Sequence, residues 1–500
     1  MLNNSIEIKM KKLYILFLAF FIATVTSCTY TFPEPEVPTT GSADFTKVVA
    51  VGNSLTAGYM NGALYDAGQA ASFANLVAQQ ISLNGGGSVF NQPDIDAKDG
   101  FSGRNMGQFP DLAIGWPLGR LHFVNPLNPA PQQLKTGQEI TDYAGDRSAL
   151  NNFGVPGMRI IHAAVSGYGV PNVGNPYFVR FASTPLATVL DDATAANGSF
   201  FLFWLGSNDA LGYALAGATG LTDGTGSIDM TPVSVFEVAY IDAITKMTAN
   251  GAKGIVANLP NVNDIPHFTT VPWNAIPMDQ ANADAANAGY IAFNGGINAY
   301  NAGLLPGQTD PPTVKRDTIG FKTGQNGIVM YDSTMADLNA YGIPTIRQAK
   351  SSDLITLTAG AVLGTLADPN NPATVIGVGV PLAEKFTLIQ ANQEAIATRI
   401  AEFNAIIKSV ADGNSGSLAF LDFNTFFADF AQNGLIIHGA GMDTSIVPPF
   451  GAFSLDGVHP NARGAAYIAS LFIDKINEVF GSNIPNLNPN NYPGNELPVP

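Results

Sequence analysis

Apolar, β-branched and aromatic residues gather in four short runs, at 47–51, 200–205, 254–259 and 418–423, and the first three are cut off by Gly52, Gly206 and Pro260. Runs without alternating polar positions fit strands buried on both faces. Between the runs the apolar residues fall three and four apart. Phe73, Leu76, Val77 and Ile81 predict a helix after the first run, and Phe236, Tyr240, Ile244 and Met247 predict another, with Thr231 as N-cap, Pro232 at N1 and Gly251 past its end. Ile389, Ile396, Ile400, Phe403 and Ile407 predict a long helix ending near Gly413, and a last one runs from about Asn461 to Phe480. Strands alternating with amphipathic helices imply an α/β fold, a three-layer α/β/α sandwich around a parallel sheet. Ligands in such sheets bind beyond the carboxyl ends of the strands.

Two stretches break the alternation. Residues 84–151, rich in Gly, Asn and Pro, read as a long elaborated loop, and 305–380 reads as a small β-rich insertion with strand-like pieces at 328–331, 354–357 and 375–378. The sheet-forming domain is expected at 44–304 and 381–481, with 482–500 a flexible, Asn/Pro-rich tail. At the start, Lys9, Lys11 and Lys12 precede an apolar run at 13–23 and small residues leading to Cys28, the order of a signal peptide over 1–27. About eleven apolar residues are too few to span a bilayer. Cys28 at the cut site resembles the lipobox of bacterial lipoproteins, which implies lipidation of Cys28 and a membrane anchor in the cell envelope. Residues 28–43, with Pro33, Pro35 and Pro38, then form a tether.

Composition narrows the classes. The formal charge is −16 and the only basic cluster is at the extreme N-terminus, so nucleic acid is not expected as a partner. Charged residues are 12%, about half the usual share, and 52 Gly with 33 Pro imply many loops and an uncharged polar surface suited to life outside the cytoplasm. A single cysteine supplies neither an intrachain disulfide nor a Cys-based zinc site. His122, His162, His267 and His438 are scattered with no His-x-x-x-His spacing, so no metal is expected. His267, after the third run, is a candidate wall of the crevice, and Asp191-Asp192 reads as a solvated helix or loop end.

Chemistry concentrates where strands give way to turns. Gly52-Asn53-Ser54-Leu55 follows the first run and sets Ser54 at the head of a helix, where a serine is either an N-cap or a hydroxyl facing the crevice. Gly206-Ser207-Asn208-Asp209 repeats the arrangement with a neutral amide donor, Asn208, beside Asp209, which reads alternatively as a cap. Phe153-Gly154-Val155-Pro156-Gly157 offers glycine N–H groups in a turn. Asp456-Gly457-Val458-His459 lies just before the last helix. A carboxylate three residues from an imidazole can orient it while its other nitrogen meets a hydroxyl, the geometry that activates serine.

Taken in order, these blocks resemble the four conserved blocks of the SGNH hydrolases, the GDSL esterase/lipase family, over about residues 46–300 and 383–480. The resemblance implies a flavodoxin-like fold and hydrolysis of acyl esters without a cofactor. Carried over by position, Ser54 is the nucleophile, His459 the general base and acid, and Asp456 its orienting partner. The Ser54 N–H, the Gly157 N–H and the Asn208 side chain form the oxyanion hole, with Gly154 the alternative second donor; Gly52, Asn53 and Asp209 support them. The family's first block usually reads Gly-Asp-Ser-Leu, and Asn53 departs from it by dropping one negative charge. Related enzymes act on lipids, short esters and acetylated sugars. The expected partner is therefore an acyl ester, the insertion is a candidate acyl-chain wall, and the alternatives are a carbohydrate O-deacetylase or a non-catalytic ligand-binding lipoprotein.

Overall fold

The computed structural model describes residues 7–12, 14, 37–84, 86–87, 89–103, 117–124 and 132–497. Its contacts divide the chain into two units, Met1–Pro38 and Thr39–Pro500. In the first, residues 7–12 are helical; Cys28, most of the apolar run and the front of the tether lie outside the described residues. Among the described residues no helix is long and apolar enough to cross a membrane.

The second unit is built on five parallel strands: β1 (Val48–Gly52), β2 (Asn152–Gly154), β3 (Phe200–Trp204), β4 (Lys253–Ala257) and β5 (Leu418–Leu421), in spatial order 2-1-3-4-5. Four of these are the apolar runs, and the fifth, β2, is the strand leading into the Gly154–Gly157 turn. Every residue of β1, β2 and β3 is buried, so the sheet is covered on both faces. Registers align the strand ends: Gly52 pairs with Gly154 on one side and Trp204 on the other.

Two sets of helices cover it. Helix α1 (Ser54–Ala57) follows β1 directly, then α2 (Phe73–Leu83); α3 (Val189–Ala195) precedes β3, α4 (Asn208–Leu215) follows it, and α5 (Val233–Thr248) leads to β4. The expected stripe of α5 is buried, and its Phe236 ring stacks 3.9 Å from Phe403. After a long excursion containing α6 (Gln280–Gly289) and α7 (Ile291–Asn301) come α8 (Gln390–Gly413), β5, α9 (Phe423–Asn433) and α10 (Ala462–Phe480). Helix α10 packs on α2 and β5, whereas α5 packs on α3 and α8. The cap of α10 is the expected one: Asn461 Oδ1 accepts from the Gly464 N–H, and Gly481 ends the helix with φ +70°.

Several boundaries differ from the expectations. The excursion begins well before residue 305, because the buried side of α6 and of α7 packs into small cores of its own: Ala283 and Tyr290 meet Phe321 and Ile346, and Ile297 and Tyr300 meet Leu338 and Ile343. Strands form at Val329–Tyr331 and Leu354–Ile355, whereas 375–378 makes only isolated bridges. Segment 84–151 holds more than loop: Phe101–Ser102 pairs with Ala63–Leu64, and Leu118–Phe123 pairs with Gln132–Thr136. The tail is held as far as Asn495, with Ile484 and Leu487 buried in the main core and the Asn495 amide donating to the Ile446 and Phe453 carbonyls. The tether ends early too, since the Ser42 N–H donates to the Phe480 carbonyl and Phe45 is buried. Thr231 does not cap α5, whose N-cap is Pro232, because its hydroxyl is engaged elsewhere.

Candidate active site

The strand ends bring Ser54, Gly157 and Asn208 to one rim of the sheet. Gly52 makes the first turn work by close approach: a Cβ there would lie 2.1 Å from Thr56 Oγ1 and 2.6 Å from the Trp204 carbonyl oxygen. Asn53, buried, is the N-cap of α1, its Oδ1 accepting from the Leu55 N–H at 3.0 Å. Capping thus falls to Asn53, and Ser54 becomes the first helical residue with its hydroxyl free for another partner. Asparagine and aspartate cap about equally well, so the departure at position 53 leaves the local geometry supported.

That partner is His459. Its Nε2 stands 2.8 Å from Ser54 Oγ, across 405 residues of sequence, and its Nδ1 is 3.0 Å from Asp456 Oδ2. The carboxylate is fixed from several sides: Oδ1 accepts from the N–H groups of Val458 (2.8 Å) and His459 (2.9 Å), and Oδ2 accepts also from the Gly62 N–H (2.7 Å). Burial pushes the Asp456 carboxyl up, but the His459 charge and these hydrogen bonds outweigh it and hold it well below the usual carboxylate range. Asp456 therefore stays an anion facing the imidazole.

Two groups that sequence reasoning did not single out brace this pair. Tyr59 lies with its ring centroid 4.9 Å from that of His459; its hydroxyl donates to the Gly62 carbonyl and accepts from the Gly103 N–H at 2.9 Å. Tyr59 thus positions the residue whose own N–H holds Asp456, and burial pushes its phenol up to about 12. Asn61, at φ +52°, donates its N–H to Ser454 Oγ and accepts from the Leu455 N–H, tying the same loop to the turn that carries Asp456 and His459. His267 does not act from the front of the crevice. It is buried behind the turn, its N–H donating to the Gly457 carbonyl at 2.8 Å and its Nδ1 3.3 Å from the Asp456 carbonyl oxygen.

The candidate oxyanion donors separate cleanly. Gly154 drops out: its N–H donates to Asn152 Oδ1 at 2.9 Å, and it is a packing glycine, since a Cβ there would sit 2.4 Å from the Ala57 nitrogen. Gly157, exposed and at φ +79°, has an N–H without an acceptor among the described residues, as has Ser54 at the head of α1. One N–H of the Asn208 carboxamide donates to the Met158 carbonyl at 3.0 Å, which hooks it to the residue after Gly157 and leaves its second N–H for a ligand.

Behind Asn208 stands a buried cluster of which only Asp209 was anticipated, and it is no cap. Its Oδ2 accepts from the Ile160 N–H (2.8 Å), its Oδ1 from the Thr231 hydroxyl (2.6 Å), and Arg159 Nε lies 3.8 Å away. Burial pushes the Asp209 carboxyl up to about 6. Arg159 also donates to the carbonyls of Thr225 and Gly226 and to Thr231 Oγ1, clamping the turn after β2 to the loop before α5. Asp191 belongs to a capping box with Thr188, and Asp192 accepts from Ser183. No group of three His, Cys, Asp or Glu side chains able to hold a metal occurs among the described residues. Compared with known proteins, the chain matches no family model and no curated sequence.

Proposed function

We propose that the protein is a serine esterase of the SGNH hydrolase family, with that family's flavodoxin-like three-layer sandwich, held in the bacterial cell envelope by a lipid on Cys28. The observation that carries the reading is the unbroken line from Asp456 through His459 to the Ser54 hydroxyl, at 3.0 and 2.8 Å, beside N–H donors that have no acceptor among the described residues. The strand order 2-1-3-4-5 supports it as well, because in sheets of that order ligands bind at the reversal between β1 and β3, where Ser54 and Asn208 stand.

The chemistry follows from the geometry. Ser54 Oγ attacks the ester carbonyl carbon as His459 Nε2 takes its proton, and Asp456 stabilises the imidazolium. The carbonyl oxygen, now an anion, is held by the Ser54 and Gly157 N–H groups and the free N–H of Asn208. Collapse breaks the C–O bond; the leaving alkoxide takes the proton from His459, and the acyl group remains on Ser54. Water then attacks with His459 again as base, releasing the carboxylic acid and restoring the serine.

Covalent labelling with diisopropyl fluorophosphate, read by intact mass, tests this. One adduct is expected on the native chain and none on Ser54→Ala; a folded native chain that takes no Ser54-dependent adduct would mean a ligand-binding lipoprotein instead. The anchor is tested separately by palmitate incorporation in cells, which Cys28→Ala should abolish.

A further inference from the structure

Beside the triad lies a half-open apolar pocket of about 70 Å³ between α9, α10 and the carboxyl end of β3. Leu55 and Val458 line it, the chain neighbours of Ser54 and His459, together with Phe423, Phe427 and Phe430 of α9 and Ile468 of α10. Among the described residues no charged side chain lines it, and the indole N–H of Trp204, in its wall, already donates to the Asn258 carbonyl at 3.1 Å. Sugar hydroxyls entering it would surrender their water bonds for almost no protein partner, which is unfavourable. Carbon chains meet no such penalty. None of the lining residues belongs to the insertion at 305–380.

Resting on the esterase reading, we propose that this pocket receives the acyl chain of the substrate, and that its size makes the enzyme selective for short acyl esters of about four carbons. A cavity of about 150 Å³ holds a benzene ring. Half that volume takes about three carbons, those of a butyryl group beyond its carbonyl. An acetyl group leaves most of the pocket empty, and a chain longer than butyryl extends past it.

Kinetics on p-nitrophenyl esters from acetyl to octanoyl test the assignment. Burying each further methylene is worth about fourfold in kcat/KM (about 0.8 kcal/mol), so the butyryl ester should exceed the acetyl ester by about fifteenfold, with no gain beyond it. Ile468→Phe, which narrows the pocket, should lower the butyryl-to-acetyl ratio about tenfold. Phe430→Leu, which widens it, should move the optimum to longer chains, so one variant that fails to fold leaves the other to decide. Labelling of Ser54 by diisopropyl fluorophosphate is read on the same samples. Normal labelling with ratios unmoved by either variant, or with rates rising steadily to octanoyl, or with acetyl esters and acetylated glycans preferred, would overturn the pocket assignment while the esterase reading stands. Absence of Ser54 labelling in the native chain would overturn both.

Discussion

Replacing Asp456 by asparagine changes one atom and tests most of the site at once. The carboxylate accepts four hydrogen bonds, from the backbone of Val458, His459 and Gly62 and from the His459 ring. Asparagine retains a single acceptor oxygen. With that oxygen at the Oδ1 position it keeps the Val458 and His459 N–H groups, and the new NH2 group faces the Gly62 N–H and His459 Nδ1. The Gly62 N–H then loses its acceptor, at about 1–3 kcal/mol for a buried donor. The opposite orientation strands two N–H groups, so the first prevails. In it His459 must turn a lone pair to the introduced amide, which moves its proton to Nε2, and the ring then donates to Ser54 instead of accepting from it. This wrong tautomer lowers kcat about 10⁴-fold in serine triads, about 5.5 kcal/mol. Because the folded Asp456 carboxyl lies below the unfolded value near 3.8, its stabilisation is present above that pH and lost as pH falls through the folded value. The stability gap between the native chain and Asp456→Asn should therefore narrow below pH 4. Turnover of p-nitrophenyl butyrate and urea unfolding on both proteins measure the two effects; a folded Asp456→Asn protein within tenfold of native kcat would refute the tautomer reasoning.

Other substitutions isolate single parts. Asn208→Ala removes one oxyanion donor and should lower kcat by about 10²–10³, with only about 1 kcal/mol of stability lost with its bond to Met158; unchanged turnover would take Asn208 out of the mechanism. Gly52→Ala and Gly157→Ala separate crowding from strain. The first drives a Cβ to 2.6 Å from a backbone oxygen and should destabilise by about 1–3 kcal/mol or more. The second meets only Asn175 Nδ2, at an ordinary contact distance of 3.9 Å, and bears the left-handed φ, about 1–2 kcal/mol by urea unfolding. Two groups oppose each other in acid. Burial, and then the Arg159 charge, push His162 down to about 4, so its contribution is present above the unfolded value of 6.5 and lost as pH falls towards 4, up to about 3 kcal/mol. Asp209, raised to about 6, takes its proton before the unfolded chain does and gains up to a similar amount as pH falls from 6 through 3.8. His162→Gln should therefore gain stability on the native chain between pH 7 and pH 4.5; a difference constant with pH would show His162 protonating freely.

What the chain discloses and what it conceals divide along one line, the range of the interaction that fixes each residue. Strands β1, β3, β4 and β5 and helices α5, α8 and α10 were legible because burial on a strand or helix face writes itself as spacing. Ser54, Asp456 and His459 each sit in a short turn that says little alone; they stand out because the turns, taken in chain order, resemble the blocks of a known family. Thr231 shows where local logic misleads: a Thr-Pro pair before an apolar stripe signals an N-cap, yet the Asp209 carboxylate, 22 residues earlier, takes the hydroxyl. Arg159 carries no signal, since its acceptors are carbonyls and the Thr231 hydroxyl in the loop at 224–231, brought near only by the fold. Tyr59 was equally hidden, because its role depends on a glycine and an aspartate almost 400 residues apart. The tail misled in the other direction. Asn and Pro predict disorder by composition, but Ile484 and Leu487 are buried in the main core and anchor its first part. Position 53 joins both cases. The residue that departs from the family pattern still supplies the cap that frees the serine beside it. What aspartate would add there is charge, and a second anion near Ser54 and Asp456 would favour the protonated imidazole. Asn53→Asp should accordingly leave the fold unchanged and raise the apparent pKa of the acidic limb of the kcat/KM profile; an unmoved limb would mean that position 53 acts on the nucleophile only through the cap.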